Sequence, residues 1–222
     1  MTPVTKTTRS QIQIECSDVT KVTANQRLGP FGDRLQMFKT EAEKSCLREY
    51  IKQKCTDDKP VPDVIHLLWY GRGTQQLDLR STIGLYSLLT MAEPCLIVLH
   101  GNVEMPGPLW NKILPLATNV VRVHKNPQTH ISGRRIVAVQ NQADFVRIEI
   151  LLEYGGIYLD SDMVITRKMD IFRTVQFAAN KAGSSLNLAN GVLFAVPGQE
   201  LLKIWLDLWS TYDGVNWSSH ST

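Results

Sequence analysis

Two aspartates separated by one serine, Asp160 and Asp162, close the run QADFVRIEILLEYGGIYLDSDMV at residues 142–164. Carboxylates at i and i+2 leaving a strand end can share one divalent cation. Short acidic pairs also arise by chance in solvated turns, but this one ends the apolar strand GIYLD and is followed by a second apolar run, MVIT. Charges emerging inside an apolar frame need a cation or donors, because an unpaired buried charge costs several kcal/mol. Oxygen ligands around a partly hydrated hard cation suit Mg²⁺ or Mn²⁺. Bridging phosphate oxygens, such an ion makes a nucleoside diphosphate a competent leaving group.

The residues upstream have the pattern of a helix. Asp144, Arg147 and Leu151 fall on one stripe, and Val146, Ile150 and Tyr154 on the next. Taken alone, Asp144 and Arg147 read as an ion pair on a solvated face, worth a few tenths of a kcal/mol. Gly155 and Gly156 change that reading. One glycine can cap the helix in a left-handed conformation and the other can let the chain turn sharply into the strand. The helix, packed against the strand end, then presents Asp144, Arg147 and Asp160 to one cavity, where Arg147 can offer a fork of hydrogen bonds to phosphate or hydroxyls.

The elements that must hold these residues alternate along the chain. VIHLLWY (64–70), CLIVLHG (95–101), NVVRVH (119–124) and GIYL read as strands. Between them, LRSTIGLYSLLTMAE places Leu79, Ile83 and Tyr86 at helical spacing, GPLWNKILP forms a short helix from near Gly107, and a longer helix runs through Ala143 to Tyr154. Strand and helix in alternation predict an α/β fold with a mostly parallel sheet. Ligands of such sheets gather beyond the carboxyl ends of the strands. Trp69, Tyr70, His100 and Asp160 all fall there, whereas His66, inside the first strand, reads as a structural histidine. Asn190, before Gly191, either reaches a ligand with its amide or serves a turn. Trp205, Leu208, Trp209 and Tyr212 have helical spacing and should pack a late helix onto the core.

Residues 1–60 differ in composition. They are polar, with one predicted helix near Thr40 to Lys54 and then the breaker DDKPVPD, and read as a stem-like lead-in; the core is expected after Pro62, in residues 61–222. The whole chain has 222 residues, 43% of them hydrophobic, enough for a proper core in a single domain. Its net charge of +3 is spread without a basic block, which argues against nucleic acid. Cys16, Cys46, Cys55 and Cys95 lack zinc-type spacing, leaving buried thiols or one or two disulfides. No stretch approaches the roughly 20 apolar residues of a membrane span, and the N-terminus is too polar for a signal peptide.

The run ADFVRIEILLEYGGIYLDSDMVI resembles the sugar-binding Asp-x-Asp region of a glycosyltransferase family. That family includes yeast α-mannosyltransferases, animal α-1,4-galactosyl- and α-1,4-N-acetylglucosaminyltransferases, and glucosylating clostridial toxins. VPDVIHLLWYG, HGNVEMPGPLWNKI, NGVLFAVPGQELLKIWLDLW and NWSSHS continue the resemblance in order across residues 61–222. It implies a GT-A fold transferring a hexose or N-acetylhexosamine from a nucleotide sugar, UDP-linked, with retention of configuration and Mn²⁺ or Mg²⁺. The acceptor would be a glycan, glycolipid or glycoprotein, and the compartment the Golgi lumen.

Carried over by position, Trp69 resembles the aromatic that stacks on uracil. Asp144 and Arg147 resemble the residues that hold sugar and ribose hydroxyls, with Tyr158 beside them. Asp160 would contact ribose or sugar and help bind metal, and Asp162 would ligate it directly. His220 would be a third ligand, although relatives follow that histidine with Gly-Pro and this chain has Ser-Thr. Asn216-Trp217-Ser218 is a glycosylation sequon by pattern, but a glycan so near the donor would obstruct it. Two other readings stand beside transfer. In a haloacid dehalogenase-like phosphohydrolase, Asp160 would be nucleophile and Asp162 acid/base, though 60 residues after Asp162 are few for completing that sheet. In an inactive fragment, the nucleotide sugar would bind without turnover.

Overall fold

The structure, a computed structural model, describes residue 35 and residues 37–71, 75–105, 107–181 and 188–213. A seven-stranded sheet runs through it in the order β1-β4-β3-β2-β7-β9-β8, comprising β1 (Met37–Phe38), β2 (Val64–Trp69), β3 (Leu96–Gly101), β4 (Val120–His124), β7 (Gly156–Leu159), β8 (Phe177–Lys181) and β9 (Leu188–Ala195). The first five strands in that order are parallel neighbours, while β9 is antiparallel to β7 and β8 to β9. A separate two-stranded ribbon joins β5 (His130–Ile131) to β6 (Arg134–Arg135). The expected α/β, mostly parallel, GT-A-like sheet is thus present, with its topological switch between β2 and β7. There the chain order reverses, and a crevice opens at the strand ends.

Helices cover both faces. On one face, α1 (Glu41–Lys54) and α4 (Val139–Tyr154) bury Leu47, Ile51, Val146 and Ile150 against Val64, Leu96, Val98 and Val121. On the other, α2 (Leu79–Ser87) and α3 (Pro108–Ile113) bury Leu85, Trp110 and Ile113 against Ile65, Leu67, Ile97 and Leu99. α5 (Glu200–Leu208) adds Leu202, with Trp209 beyond it, to a third cluster under α4, around Leu151, Tyr158 and Leu193. Among the described residues no helix is long and apolar enough to cross a membrane.

Several expectations are corrected. α1 lies where it was predicted, started by a capping box in which Thr40 Oγ1 accepts from the Glu43 amide at 3.2 Å and Glu43 accepts from the Thr40 amide at 2.8 Å. It is not peripheral: Leu47 is completely buried, and Phe38 forms part of the sheet, so the core begins before Pro62. Average apolar content hid this because only three positions of α1, Cys46, Leu47 and Ile51, are needed to cover the sheet. α4 begins at Val139 rather than at Ala143. The apolar stripe of α2 faces solvent, with Leu79, Ile83 and Tyr86 65, 47 and 52% exposed, and Leu208 of α5 is 54% exposed. α2 instead buries Ser81, Gly84, Leu85 and Ser87. The cysteine alternatives resolve in part into a disulfide between Cys55 and Cys95, tying the end of α1 to the start of β3, and no free cysteine remains among the described residues.

Candidate active site

Gly155 (φ +64°) and Gly156 (φ +95°) turn the chain from α4 into β7, and both values lie in the region that favours glycine. Space imposes the same choice, because a Cβ on Gly155 would stand 2.5 Å from the Pro197 ring and one on Gly156 2.6 Å from the Val64 carbonyl oxygen. This tight turn sets the end of β7 beside the middle of α4. Asp160 follows β7 directly, its amide donating to the Gly191 carbonyl of β9 at 2.9 Å. A turn closed by the Met163 amide on the Asp160 carbonyl, 3.1 Å, then carries Asp162 at its tip.

Arg147 is the hub of the site. Its Nη2 lies 2.9 Å from Asp144 Oδ1 and its Nη1 3.4 Å from Asp160 Oδ1. Nη1 also donates to both the backbone and side-chain oxygens of Asn190 at 2.8 Å. The guanidinium sits 4.5 Å from the centre of the Tyr158 ring, whose hydroxyl donates to Asp160 Oδ1 at 2.9 Å. Burial opposes the charge on Arg147, but Tyr158, Asp160 and Asp144 outweigh it and raise its pKa. Asp144 and Arg147 are only 4 and 5% exposed, so the pair is buried and not on a solvated face. Burial raises the Asp144 pKa to about 6 against the pull of Arg147. Tyr158 is likewise pushed well above the usual phenol range by burial.

Asp144 Oδ2, an acceptor, and Asn190 Nδ2, a donor, are buried without a hydrogen bond of full geometry, although the Asn190 side chain is close enough to the Asp144 carboxylate to pull its pKa down. Both residues line a cleft of about 720 Å³ together with Arg147, Tyr158, Asp160 and Asp162. Buried polar atoms held so loosely in such a cleft are an arrangement in which a bound hydroxyl can give to one side chain and take from the other. Asp160 keeps Oδ2 clear of Tyr158 and Arg147, and a Cβ on Gly191 would stand 2.8 Å from that oxygen. Asp162 is half exposed and pairs with Arg80 at 3.9 Å. These two carboxylates are suitable hard ligands for a divalent ion that keeps several waters and takes phosphate oxygens from its substrate. No group of three or more His, Cys, Asp or Glu side chains that would hold a metal unaided occurs among the described residues.

The structure therefore brings together Asp144, Arg147, Tyr158, Asp160, Asp162 and Asn190, the last within β9 and not in a turn. It does not bring in Trp69. That indole packs with the cluster around Ile65 and Leu67, its Nε1 buried without a partner, while the cleft wall is made by its neighbours Leu68 and Tyr70. Tyr70 also lines a second cleft, of about 880 Å³, that includes Asn102, His130 and Gln142. His220 and the sequon at 216–218 lie outside the described residues. His66 and His100 are buried next to each other, His66 Nδ1 and His100 Nε2 2.9 Å apart and His66 Nε2 2.9 Å from the Gly155 carbonyl. Neither histidine lines the first cleft.

Sequence reasoning missed the support beneath the aspartates. Gly84 of α2 touches the turn so closely that a Cβ would stand 2.6 Å from the Ser161 carbonyl oxygen and 2.9 Å from that of Met163. Ser87 Oγ accepts from the Ile165 amide at 2.9 Å and donates to the Gly84 carbonyl at 2.7 Å. The isolated glycine inside a helical pattern was the available signal.

The fold and the Asp-x-Asp geometry define a glycosyltransferase-type site, and comparison with known proteins agrees. Residues 49–179, more than half of the chain, match the family described as glycosyltransferase sugar-binding region containing DXD motif, and the chain belongs to that family. Asp160 and Asp162 fall inside the match, which sets the phosphohydrolase reading aside. The chain is 26% identical over 176 residues to glucan organizing enzyme 1 of Cryptococcus neoformans var. grubii; the match covers 72% of this chain and 47% of that protein, so the chain spans about half the length of this curated relative. Among solved structures it resembles PaToxG glycosyltransferase, with a TM-score of 0.50 and 12% identity over 75% of this chain and 66% of the other. A looser likeness, TM-score 0.46 and 15% identity, is to apo GlyE of Streptococcus pneumoniae TIGR4, covering 69% of this chain and 40% of GlyE.

Proposed function

We propose that the cleft binds a UDP-linked sugar and that the chain transfers its hexose or N-acetylhexosamine, with retention of configuration, to a glycan, glycolipid or glycoprotein. The observation carrying this reading is one cleft that joins two buried, loosely engaged polar atoms, Asp144 Oδ2 and Asn190 Nδ2, to two carboxylates. Asp144 and Asn190 hold a sugar hydroxyl between them, and Arg147 fixes the orientation of Asp144, Asn190 and Asp160 together. Tyr158 holds Asp160 through Oδ1 and leaves Oδ2 for metal or ribose. Mn²⁺ or Mg²⁺ on Asp160 and Asp162, with His220 as a further ligand, would offset the charge that develops on the departing diphosphate. The departing phosphate oxygen takes the acceptor proton during front-face attack. The nucleoside extends past Tyr70 into the second cleft, at the carboxyl ends of β2 and β3, where Tyr70 and not Trp69 lines both clefts.

Purified protein given UDP-sugars and Mn²⁺ should release UDP, and Asp162→Ala should reduce release by two orders of magnitude or more, the scale of losing a charge-stabilising group. Calorimetric binding of a donor without release would favour the inactive-fragment reading. Absence of both binding and release with every nucleotide sugar would end the proposal.

A further inference from the structure

Beyond the Asp-x-Asp turn the chain runs along α2, held by Gly84, by Ser87, and by Lys168 meeting Glu93 at 3.3 Å. It then passes through a 3₁₀ turn, Asp170–Thr174, to β8, the outermost strand of the sheet. This segment exposes large apolar side chains in close succession: Val164, Ile171, Phe172 and Val175 are 52, 74, 50 and 46% exposed. Between it and β8–β9 lies a groove of about 300 Å³ whose walls include Val164, Ile171, Phe172, Ala178, Val192 and Phe194. The only charged side chains among the described residues lining it are cations, Arg167 and Lys168. Scattered exposed apolar residues are ordinary, but a contiguous set around an apolar groove with a basic lip is a surface built for contact.

From this combination we infer that the 164–172 segment and its groove are a docking surface for an anionic lipid bilayer. Ile171 and Phe172 enter the acyl boundary while Arg167 and Lys168 meet the headgroups. An apolar wall with cationic lips is the arrangement of interfacial membrane contacts, in which buried apolar area and attraction to anionic lipid add. Charge selects this occupant, because a neutral apolar partner would gain nothing from Arg167 at the rim, or from Lys168, whose exposed pairing with Glu93 leaves it open to headgroups. Val164 stands two residues from Asp162, so a docked chain holds its metal-side rim at the membrane surface. An acceptor carried there by a lipid would reach the site without leaving the bilayer.

Co-sedimentation of the full chain with phosphatidylcholine vesicles, with and without phosphatidylserine, tests the inference and needs neither donor nor metal. Its failure therefore leaves the transferase reading untouched. Binding is expected to the phosphatidylserine vesicles and to weaken with added salt. Arg167→Glu should weaken it by about fivefold or more, and Ile171→Glu by about tenfold or more, both with unchanged melting temperatures. Equal binding to vesicles lacking phosphatidylserine, or undiminished binding by both variants, would overturn the assignment. So would light scattering showing that Ile171→Glu converts a dimer to a monomer in a protein that ignores vesicles, since the surface would then belong to a second copy of the chain.

Discussion

Asp144 illustrates what burial does to a single residue. Ionised, it can accept a ligand hydroxyl through Oδ2, and with a pKa raised to about 6 it loses that form as the pH falls through the same value. Donor affinity measured by calorimetry should therefore fall by about tenfold per unit below pH 6. Asp144→Asn should bind weakly at neutral pH and show no such slope; a wild-type affinity flat from pH 5 to 8 would remove Asp144 from donor recognition. Stability has the opposite sign. A carboxyl whose folded pKa exceeds its ordinary 3.8 stabilises the fold at low pH and loses that contribution as pH rises through about 6. The free protein thus carries a partly destabilising charge in its cleft, one that a hydrogen bond from a donor hydroxyl would relieve.

At the scale of elements, α2 and the Asp-x-Asp turn form one unit. In an isolated helix Gly84→Ala would gain about 1 kcal/mol of propensity. Here the new methyl would stand 2.6 Å from a backbone oxygen of the turn, and backbone cannot step aside as a flexible side chain can. Overpacking of this kind costs about 1–3 kcal/mol, so the net effect is a loss, read as a lower melting temperature. Because the displaced segment carries Asp162, half-saturation of UDP release by Mn²⁺ should also rise several-fold in the variant. A more stable protein with unchanged metal dependence would show that the turn does not rest on α2. The apolar residues of α2 misled sequence reading at this point. Helical spacing identifies a stripe, but only the neighbouring turn determines that the helix presents its small residues inward.

Across the whole molecule, the Cys55–Cys95 disulfide closes a loop of 40 residues between α1 and β3. Constraining a loop of that length in the unfolded chain is worth about 4 kcal/mol. Cys55→Ser should lower the chemical-unfolding midpoint accordingly, and an unchanged midpoint would mean that the unfolded chain is already restrained there. The buried histidines set the acid limit. Burial lowers the His66 pKa to about 4 from an ordinary 6.5, and that of His100 in the same direction. Between those values the unfolded chain binds a proton that the native one refuses, so stability rises with pH across the window, by on the order of 3 kcal/mol for His66. Asp144 opposes this over part of the range, and the slope should steepen in the Asp144→Asn background. Urea unfolding followed from pH 4.5 to 7 would expose a flat or inverted profile, which is incompatible with neutral buried imidazoles.

The sequence alone determined the alternation of strands and helices, the Gly-Gly turn, and the Asp-x-Asp pair with Asp144 and Arg147 upstream. Each of these is a local pattern: hydrophobic period, backbone freedom at glycine, and spacing along a helix. Tertiary structure decided which surfaces those patterns present. Trp69 ends β2 and Tyr70 follows it, and the alternation of side chains along the extended chain sends them to opposite faces, so one packs around Ile65 and Leu67 and the other reaches the cleft wall. Composition made residues before Pro62 look peripheral, yet α1 supplies one layer of the core, because burial depends on where a few apolar residues land and not on their average. Asp144 and Asn190 come from α4 and β9, 46 positions apart in sequence. No spacing rule links them, and they meet only because β9 pairs with β7 beside α4.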